Sequence, residues 1–150
     1  ETPQRTIIGF QPFDTATAEL PFEVSIDSGD IGGPSAGLAF TLTLIDELTA
    51  GELTGGKRVA VTGTIAIDGA VGAIGGLASK ASAVKQMDAV AFLVPAGQGQ
   101  DDIDRAQAVV GPDIQVIPVA NLAEALAALA TLGGNGLELG TPGEGYEAAS

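Results

Sequence analysis

The most constraining feature of the sequence is a predicted helix that is apolar on nearly every side. Residues 35–48 include Leu38, Leu42 and Ile45 among other apolar side chains, and acidic residues appear only near the end. A helix without a polar face is usually buried on most of its sides. Other elements must therefore surround it, and the chain has the apolar content to form such a core, since 45% of its residues are hydrophobic.

A glycine-rich turn leads into this helix and carries a serine. The turn reads Asp30-Ile31-Gly32-Gly33-Pro34-Ser35-Ala36-Gly37. It brings the Ser35 hydroxyl near a helix N-terminus, where free backbone N–H groups and the helix dipole favour negative charge. Ser35 is thus a candidate nucleophile or a helix N-cap, and the turn alone leaves both open. Asp30 either orients a substrate or stabilises the loop.

The rest of the chain alternates between strand and helix patterns. Strands are predicted at 5–10, 20–26, 58–67, 89–94 and 114–119, and helices at 77–87, 101–110 and 122–131. Asp68-Gly69 predicts a hairpin turn that returns through 71–74, and Asn121 is the expected cap of the last helix. We predict one mixed α/β (α+β) domain at 1–132, followed by a flexible acidic tail at 133–150.

Two missing residue types limit the possible chemistry. The sequence has no cysteine and no histidine, so no disulfide, zinc finger or Ser–His–Asp triad can form within it. A metal site would need oxygen ligands alone, and we expect neither a metal nor a cofactor. The net charge of −13 argues against binding to nucleic acid. The glycine-rich turn lacks a phosphate-loop lysine, which makes nucleotide binding the weakest candidate.

A nucleophilic serine needs a group that takes its proton, and here only a lysine or a carboxylate remains. The lysines are Lys57, Lys80 and Lys85. Helix positions advance by about 100° per residue, so Lys80 shares the apolar face of helix 77–87 with Leu77 and Val84. A neutral amine on that face is a candidate general base. The alternative is that Lys80 reaches water from the rim of the core.

Three segments together resemble the proteolytic domain of Lon proteases. They are Gly33-Pro34-Ser35-Ala36-Gly37, Val61-Thr62-Gly63 and Ile74-Gly75-Gly76-Leu77-Ala78-Ser79-Lys80, and the resemblance covers approximately residues 20–130. It implies that Ser35 is the nucleophile, that Lys80 is its base and that Thr62 hydrogen-bonds the lysine amine. It also implies an oxyanion and substrate loop made of Asp30, Gly32, Gly33, Pro34 and Ala36. The implied fold is that of ribosomal protein S5 domain 2, often assembled into hexameric rings.

The sequence departs from the ATP-dependent Lon pattern at two positions. Gly32 stands where an aspartate is common, and Thr64 replaces the acid that usually follows Thr-Gly. These positions, with the Asp68-Gly69 hairpin, look closer to bacterial proteins that join a PDZ domain to a Lon-type protease domain. That resemblance implies independence of ATP and an extracytoplasmic, membrane-anchored full-length protein, with a cytoplasmic location as the alternative.

The sequence therefore predicts a serine endopeptidase that hydrolyses peptide bonds in proteins through Ser35 and Lys80. The expected partners are a polypeptide substrate, an upstream PDZ domain and further copies of the chain. The alternative is a catalytically silent module that binds a peptide or a partner on the same scaffold. Before the resemblance is considered, Thr62 is better explained by the preference of threonine for strands than by a role in orienting an amine.

Overall fold

The computed structural model describes residues 33–49 and 51–135. The predicted strands at 5–10 and 20–26, the candidate residues Asp30 and Gly32, and positions 136–150 lie outside these ranges. The elements are α1 (Gly37–Leu48), β1 (Val59–Val61), β2 (Thr64–Ile65), β3 (Val71–Gly72), α2 (Leu77–Val84), β4 (Ala91–Pro95), α3 (Gln100–Val110), β5 (Gln115–Val119) and α4 (Leu122–Thr131). None of the helices in the described ranges is long and apolar enough to cross a membrane.

The main sheet of the described part has three parallel strands in the order β1-β4-β5. Parallel neighbours need a crossover, and α2 and α3 lie in the connections from β1 to β4 and from β4 to β5. All five residues of β4 are buried. This is the pattern of a central strand covered on both faces.

Two apolar clusters pack against the sheet, and alternate residues of β4 enter different clusters. Phe92 and Val94 belong to the cluster that α2 and α3 complete, while Ala91 and Leu93 belong to the cluster that α1 and α4 complete. Because strand side chains alternate between faces, helices cover both sides of the sheet. The prediction of a single mixed α/β domain is confirmed. The domain boundary at 132 stays a prediction.

Two predicted elements differ from the structure. The strand predicted at 58–67 is divided into β1 and β2 by Gly63, which has φ +155°, and a Cβ added there would lie 2.9 Å from Val71 Cγ1. The chain changes sheets at this glycine, since β1 pairs with β4 and β2 pairs with β3. The helix predicted at 77–87 ends at Val84, because residues 85–88 form turns that lead the chain into the core at Ala89.

The predicted hairpin and the predicted cap are both present. Gly69, with φ +84°, donates its N–H to the Ala66 carbonyl at 2.9 Å, so the turn between β2 and β3 begins two residues before Asp68. Asn121 accepts a hydrogen bond from the Glu124 N–H at 2.9 Å. The side chain of Asn121 thereby satisfies one free N–H of α4, as expected for an N-cap.

Candidate active site

Ser35 lies inside a single 3₁₀ turn that precedes α1. The turn spans Pro34–Ala36, and Gly33 enters it with φ +88°. Proline suits this first position, since its fixed φ matches the turn and its missing N–H would have had no partner within the helix. The N-cap residues are Gly33 for the turn and Ala36 for α1, and neither makes a side-chain cap. The interpretation of Ser35 as a helix N-cap is therefore wrong.

The backbone of the serine turn is tied to the carboxyl end of β1. The Ser35 carbonyl oxygen accepts the Thr62 hydroxyl at 3.1 Å and the Gly63 N–H at 2.9 Å. In return, the Gly63 carbonyl accepts the Leu38 N–H at 3.1 Å. Thr62 is itself held by β4, since its N–H donates to the Leu93 carbonyl at 3.0 Å. These bonds fix the position of Ser35 relative to the sheet.

Lys80 reaches the serine from α2. Its neighbours on the helix face, Leu77 and Val84, are buried, and Lys80 itself is half-buried. The Lys80 Nζ donates to the Ser35 Oγ at 3.3 Å, although 45 positions separate the two residues in the sequence. Lys85, which directly follows α2, is exposed. The structure therefore brings together the serine and the lysine that the sequence had singled out.

Thr62 has a different partner from the one that the resemblance implied. Its side chain is buried, with 4% of the residue exposed. A hydroxyl has one proton to donate, and Thr62 donates it to the Ser35 carbonyl oxygen. Among the hydrogen bonds of the described residues, the Thr62 side chain thus contacts the serine backbone rather than the lysine amine.

A mostly apolar groove of about 460 Å³ opens beside Ser35. Its polar lining consists of Ser35, Thr62 and Lys80. The apolar lining consists of Ala36, Val59, Ala60, Val61, Ala83, Val84, Met87 and Phe92. Hydrogen bonds and charges act more strongly beside apolar walls than in open water. A segment of another molecule in the groove would therefore have access to the Ser35 hydroxyl and the Lys80 amine, which are in hydrogen-bond contact.

The other candidate residues fall into two groups. Gly33, Pro34 and Ala36 form the turn around Ser35, whereas Asp30 and Gly32 lie outside the described residues. Across residues 33–49 and 51–135, no set of three or more acidic side chains is placed to hold a metal ion. The ion pairs found in the same ranges join Arg58 to Asp88 and Arg105 to Asp102. Both are at the surface and neither involves the candidate site.

Sequence reasoning missed two residues that support the site. Gly63 holds the serine turn through its amide and its carbonyl, and a glycine within a strand pattern was the signal for such a close approach. Gln98 binds the backbone of Ile74, which precedes α2: its Oε1 accepts the Ile74 N–H at 3.0 Å, and its Nε2 donates to the Ile74 carbonyl at 2.8 Å. No sequence pattern pointed to Gln98.

Comparison with known proteins gives a consistent match over most of the chain. The family described as Lon protease (S16) C-terminal proteolytic domain matches residues 22–131. A Lon protease of Xanthomonas oryzae pv. oryzae is 36% identical over 94 residues, which cover 63% of this chain and 11% of the relative. A Lon protease of Metamycoplasma arthritidis is 31% identical over 111 residues, which cover 74% of this chain and 13% of the relative. The chain thus corresponds to a small part of these relatives.

Proposed function

The chain belongs to the Lon protease C-terminal proteolytic domain family, and on that premise we propose that it is a serine endopeptidase with Ser35 as nucleophile and Lys80 as general base. The observation that carries the proposal is the 3.3 Å contact between Lys80 Nζ and Ser35 Oγ. This distance is slightly longer than the 2.6–3.2 Å expected between a general base and its proton donor, and such contacts commonly tighten once substrate is bound.

The reaction begins when the Lys80 amine accepts the proton of the Ser35 hydroxyl. As the proton moves to Nζ, the Ser35 Oγ forms a bond to the carbonyl carbon of the scissile peptide, and the carbonyl electrons move to its oxygen. When the tetrahedral intermediate collapses, the C–N bond breaks and the Lys80 ammonium protonates the leaving amine. Water then attacks the acyl-enzyme, with Lys80 again taking a proton, and releases the carboxylic acid product.

The developing oxyanion needs hydrogen-bond donors that are already in place. In a 3₁₀ turn the first N–H groups have no partner within the turn. Gly37 donates to the Pro34 carbonyl and is the first amide of the turn with an internal bond. We assign the oxyanion site to the amides of Ser35 and Ala36, because Pro34 has no N–H and these two precede Gly37.

Thr62 serves as a positioning residue in this proposal. By donating to the Ser35 carbonyl, it holds the nucleophile's backbone against the end of β1. Asp30 and Gly32 complete the substrate loop in the proposal on the strength of the motif resemblance. Independence of ATP is included in the proposal on the strength of the same motif resemblance.

The setting of the domain is a further part of the proposal. The motif resemblance supports a polypeptide substrate, an upstream PDZ domain, a membrane anchor outside this chain and assembly with further copies. No nucleic-acid partner is proposed, because the net charge of −13 would repel a phosphate backbone. Each of these statements concerns the longer protein rather than the geometry of the site.

The test compares cleavage of an unfolded, fluorescently labelled polypeptide by wild type, Ser35→Ala, Lys80→Ala and Lys85→Ala. The last variant is the matched control, since Lys85 follows α2 directly and is exposed. We expect Ser35→Ala and Lys80→Ala to lose about 100-fold or more in rate, with Lys85→Ala at the wild-type rate. Peptide binding by wild type with neither cleavage nor labelling of Ser35 by a fluorophosphonate would instead establish the silent binding module.

A further inference from the structure

We propose that Gln98 is a positioning residue that sets the location of Lys80 relative to Ser35. The inference rests on the proposed function, because it matters only if the lysine serves the serine. It concerns a side chain that touches neither partner directly. Gln98 acts on Lys80 through the backbone that leads into α2. Gln98 is itself positioned by β4, the strand that precedes it in the chain.

The carboxamide of Gln98 forms two hydrogen bonds with the backbone of one residue, Ile74. Its Oε1 accepts the Ile74 N–H at 3.0 Å and its Nε2 donates to the Ile74 carbonyl at 2.8 Å. This pair of bonds is what a neighbouring β-strand would give to the same backbone. Ile74 is half-buried and packs against the cluster formed by α2 and α3. These two hydrogen bonds therefore fix the backbone just before α2 begins at Leu77.

The start of α2 is held by the burial of its first residue, Leu77, and receives no hydrogen bond from a capping side chain. The helix has eight residues, and a helix of that length is not stable by itself. Its N-cap is Gly76, with φ +70° and no side-chain cap. Gly75 and Gly76 are both exposed, and a Cβ at either position would extend into open space. Ile74 is thus the last residue before α2 whose backbone is held by a side chain, and Leu77, the first residue of α2, is held by burial in the core.

Gln98 connects this position to the same strand that holds Ser35. It ends a 3₁₀ turn, Ala96–Gln98, that follows the buried central strand β4 without a gap. On the serine side, Thr62 is bonded to Leu93 in β4 and to the Ser35 carbonyl. The positions of both residues of the proposed dyad, Ser35 and Lys80, are therefore set relative to β4. Gln98 provides the connection on the lysine side, as Thr62 does on the serine side.

The test replaces Gln98 with methionine, which has a similar length and no hydrogen-bonding amide. The matched control is Gln107→Met, because the Gln107 carboxamide also bonds backbone groups, at Gly111, Ile114 and Val116. A loss of general stability would affect both variants. We expect Gln98→Met to lower kcat for a peptide about 10-fold with KM nearly unchanged, as for a misplaced catalytic group, and Gln107→Met to keep kcat.

A second variant, Gln98→Glu, keeps the acceptor for the Ile74 N–H and loses the donor, so we expect an intermediate kcat. Wild-type kcat in either folded Gln98 variant, an equal loss in Gln107→Met, or unfolding of both Gln98 variants would overturn the positioning role. Ser35→Ala and Lys80→Ala are measured beside them. If these two keep wild-type turnover, the proposed function fails. If they are inactive while Gln98→Met is fully active, only the role of Gln98 fails.

Discussion

Replacing Thr62 by valine isolates one hydrogen bond at the site. Valine has nearly the same shape as threonine, so the change leaves no cavity at this buried position. It removes the bond from the Thr62 hydroxyl to the Ser35 carbonyl, which is 3.1 Å long. The carbonyl keeps its other donor, the Gly63 N–H at 2.9 Å, so no buried acceptor is left without a partner.

These contacts set the size of the expected effect. A neutral hydrogen bond whose acceptor remains satisfied contributes about 1 kcal/mol to the free energy of unfolding. In a chain of this length that corresponds to a fall of about 2–4 °C in melting temperature. If the same free energy is lost from the placement of Ser35 in the transition state, kcat falls about fivefold. Thr62→Val should therefore be a folded enzyme with moderately reduced turnover.

The assay measures kcat on a fluorogenic peptide and the melting temperature on the same preparations. Thr62→Ser keeps the hydroxyl and should keep most of the turnover. Thr49→Val is the matched control, because the Thr49 hydroxyl donates to the Ile45 carbonyl at 2.8 Å at the far end of α1. We expect it to lower the melting temperature without changing kcat.

Two results would contradict this reasoning. If Thr62→Val melts at the lower temperature but turns over like wild type, Thr62 stabilises the fold and does not position the serine. If kcat instead falls about 100-fold or more, the loss is too large for one hydrogen bond to the Ser35 backbone. It would indicate that Thr62 acts directly on a group that transfers the proton. The second result would favour the contact with the Lys80 amine that the family resemblance implied.

Three further predictions concern single side chains. Lys80→Arg replaces the amine with a guanidinium that stays protonated, so kcat should fall about 100-fold or more at an unchanged melting temperature; near-normal turnover would exclude a general base at this position. Gly63→Ala forces a Cβ to within 2.9 Å of Val71 and should cost about 2 kcal/mol or more in urea unfolding, with turnover lost as well. Asn121→Ala removes the cap of α4 and should cost about 1 kcal/mol, with turnover retained as its control.

Elements with strong local signals were predictable from the sequence. The apolar run that forms α1 and the cap at Asn121 depend on neighbouring residues, and both appear in the structure. The hairpin at Asp68-Gly69 is similar, since the turn requires the left-handed backbone that glycine adopts readily. In each case the residues that cause the element lie within or beside it.

Elements decided by distant contacts were not predictable to the same degree. The apolar pattern of 58–67 runs through Gly63 without interruption, and only pairing with β4 on one side and β3 on the other divides it. Likewise, residues 85–87 continue a helical pattern beyond Val84. The end of α2 is set by the need to bring Ala89 into the core. The residues around Val84 alone do not reveal that requirement.

The residues of the candidate site also differ in how far the sequence could predict them. Elimination and the helix face made Ser35 and Lys80 candidates, because few residue types can exchange a proton with serine, and the family resemblance then implied their roles. The partners of Thr62 and Gln98 did not follow, since a hydroxyl or a carboxamide can bond to any nearby backbone group. Asp30 and Gly32 stay predictions, as they lie outside the described residues.

The parallel pairing of β1 with β4 also determines when the site can form during synthesis. Ser35 leaves the ribosome well before Lys80, and its turn is held through Thr62 by Leu93 in β4. Parallel strands pair only after the intervening crossover, here including α2, has been made. Under the proposed mechanism, an unfinished chain therefore carries the nucleophile without its base.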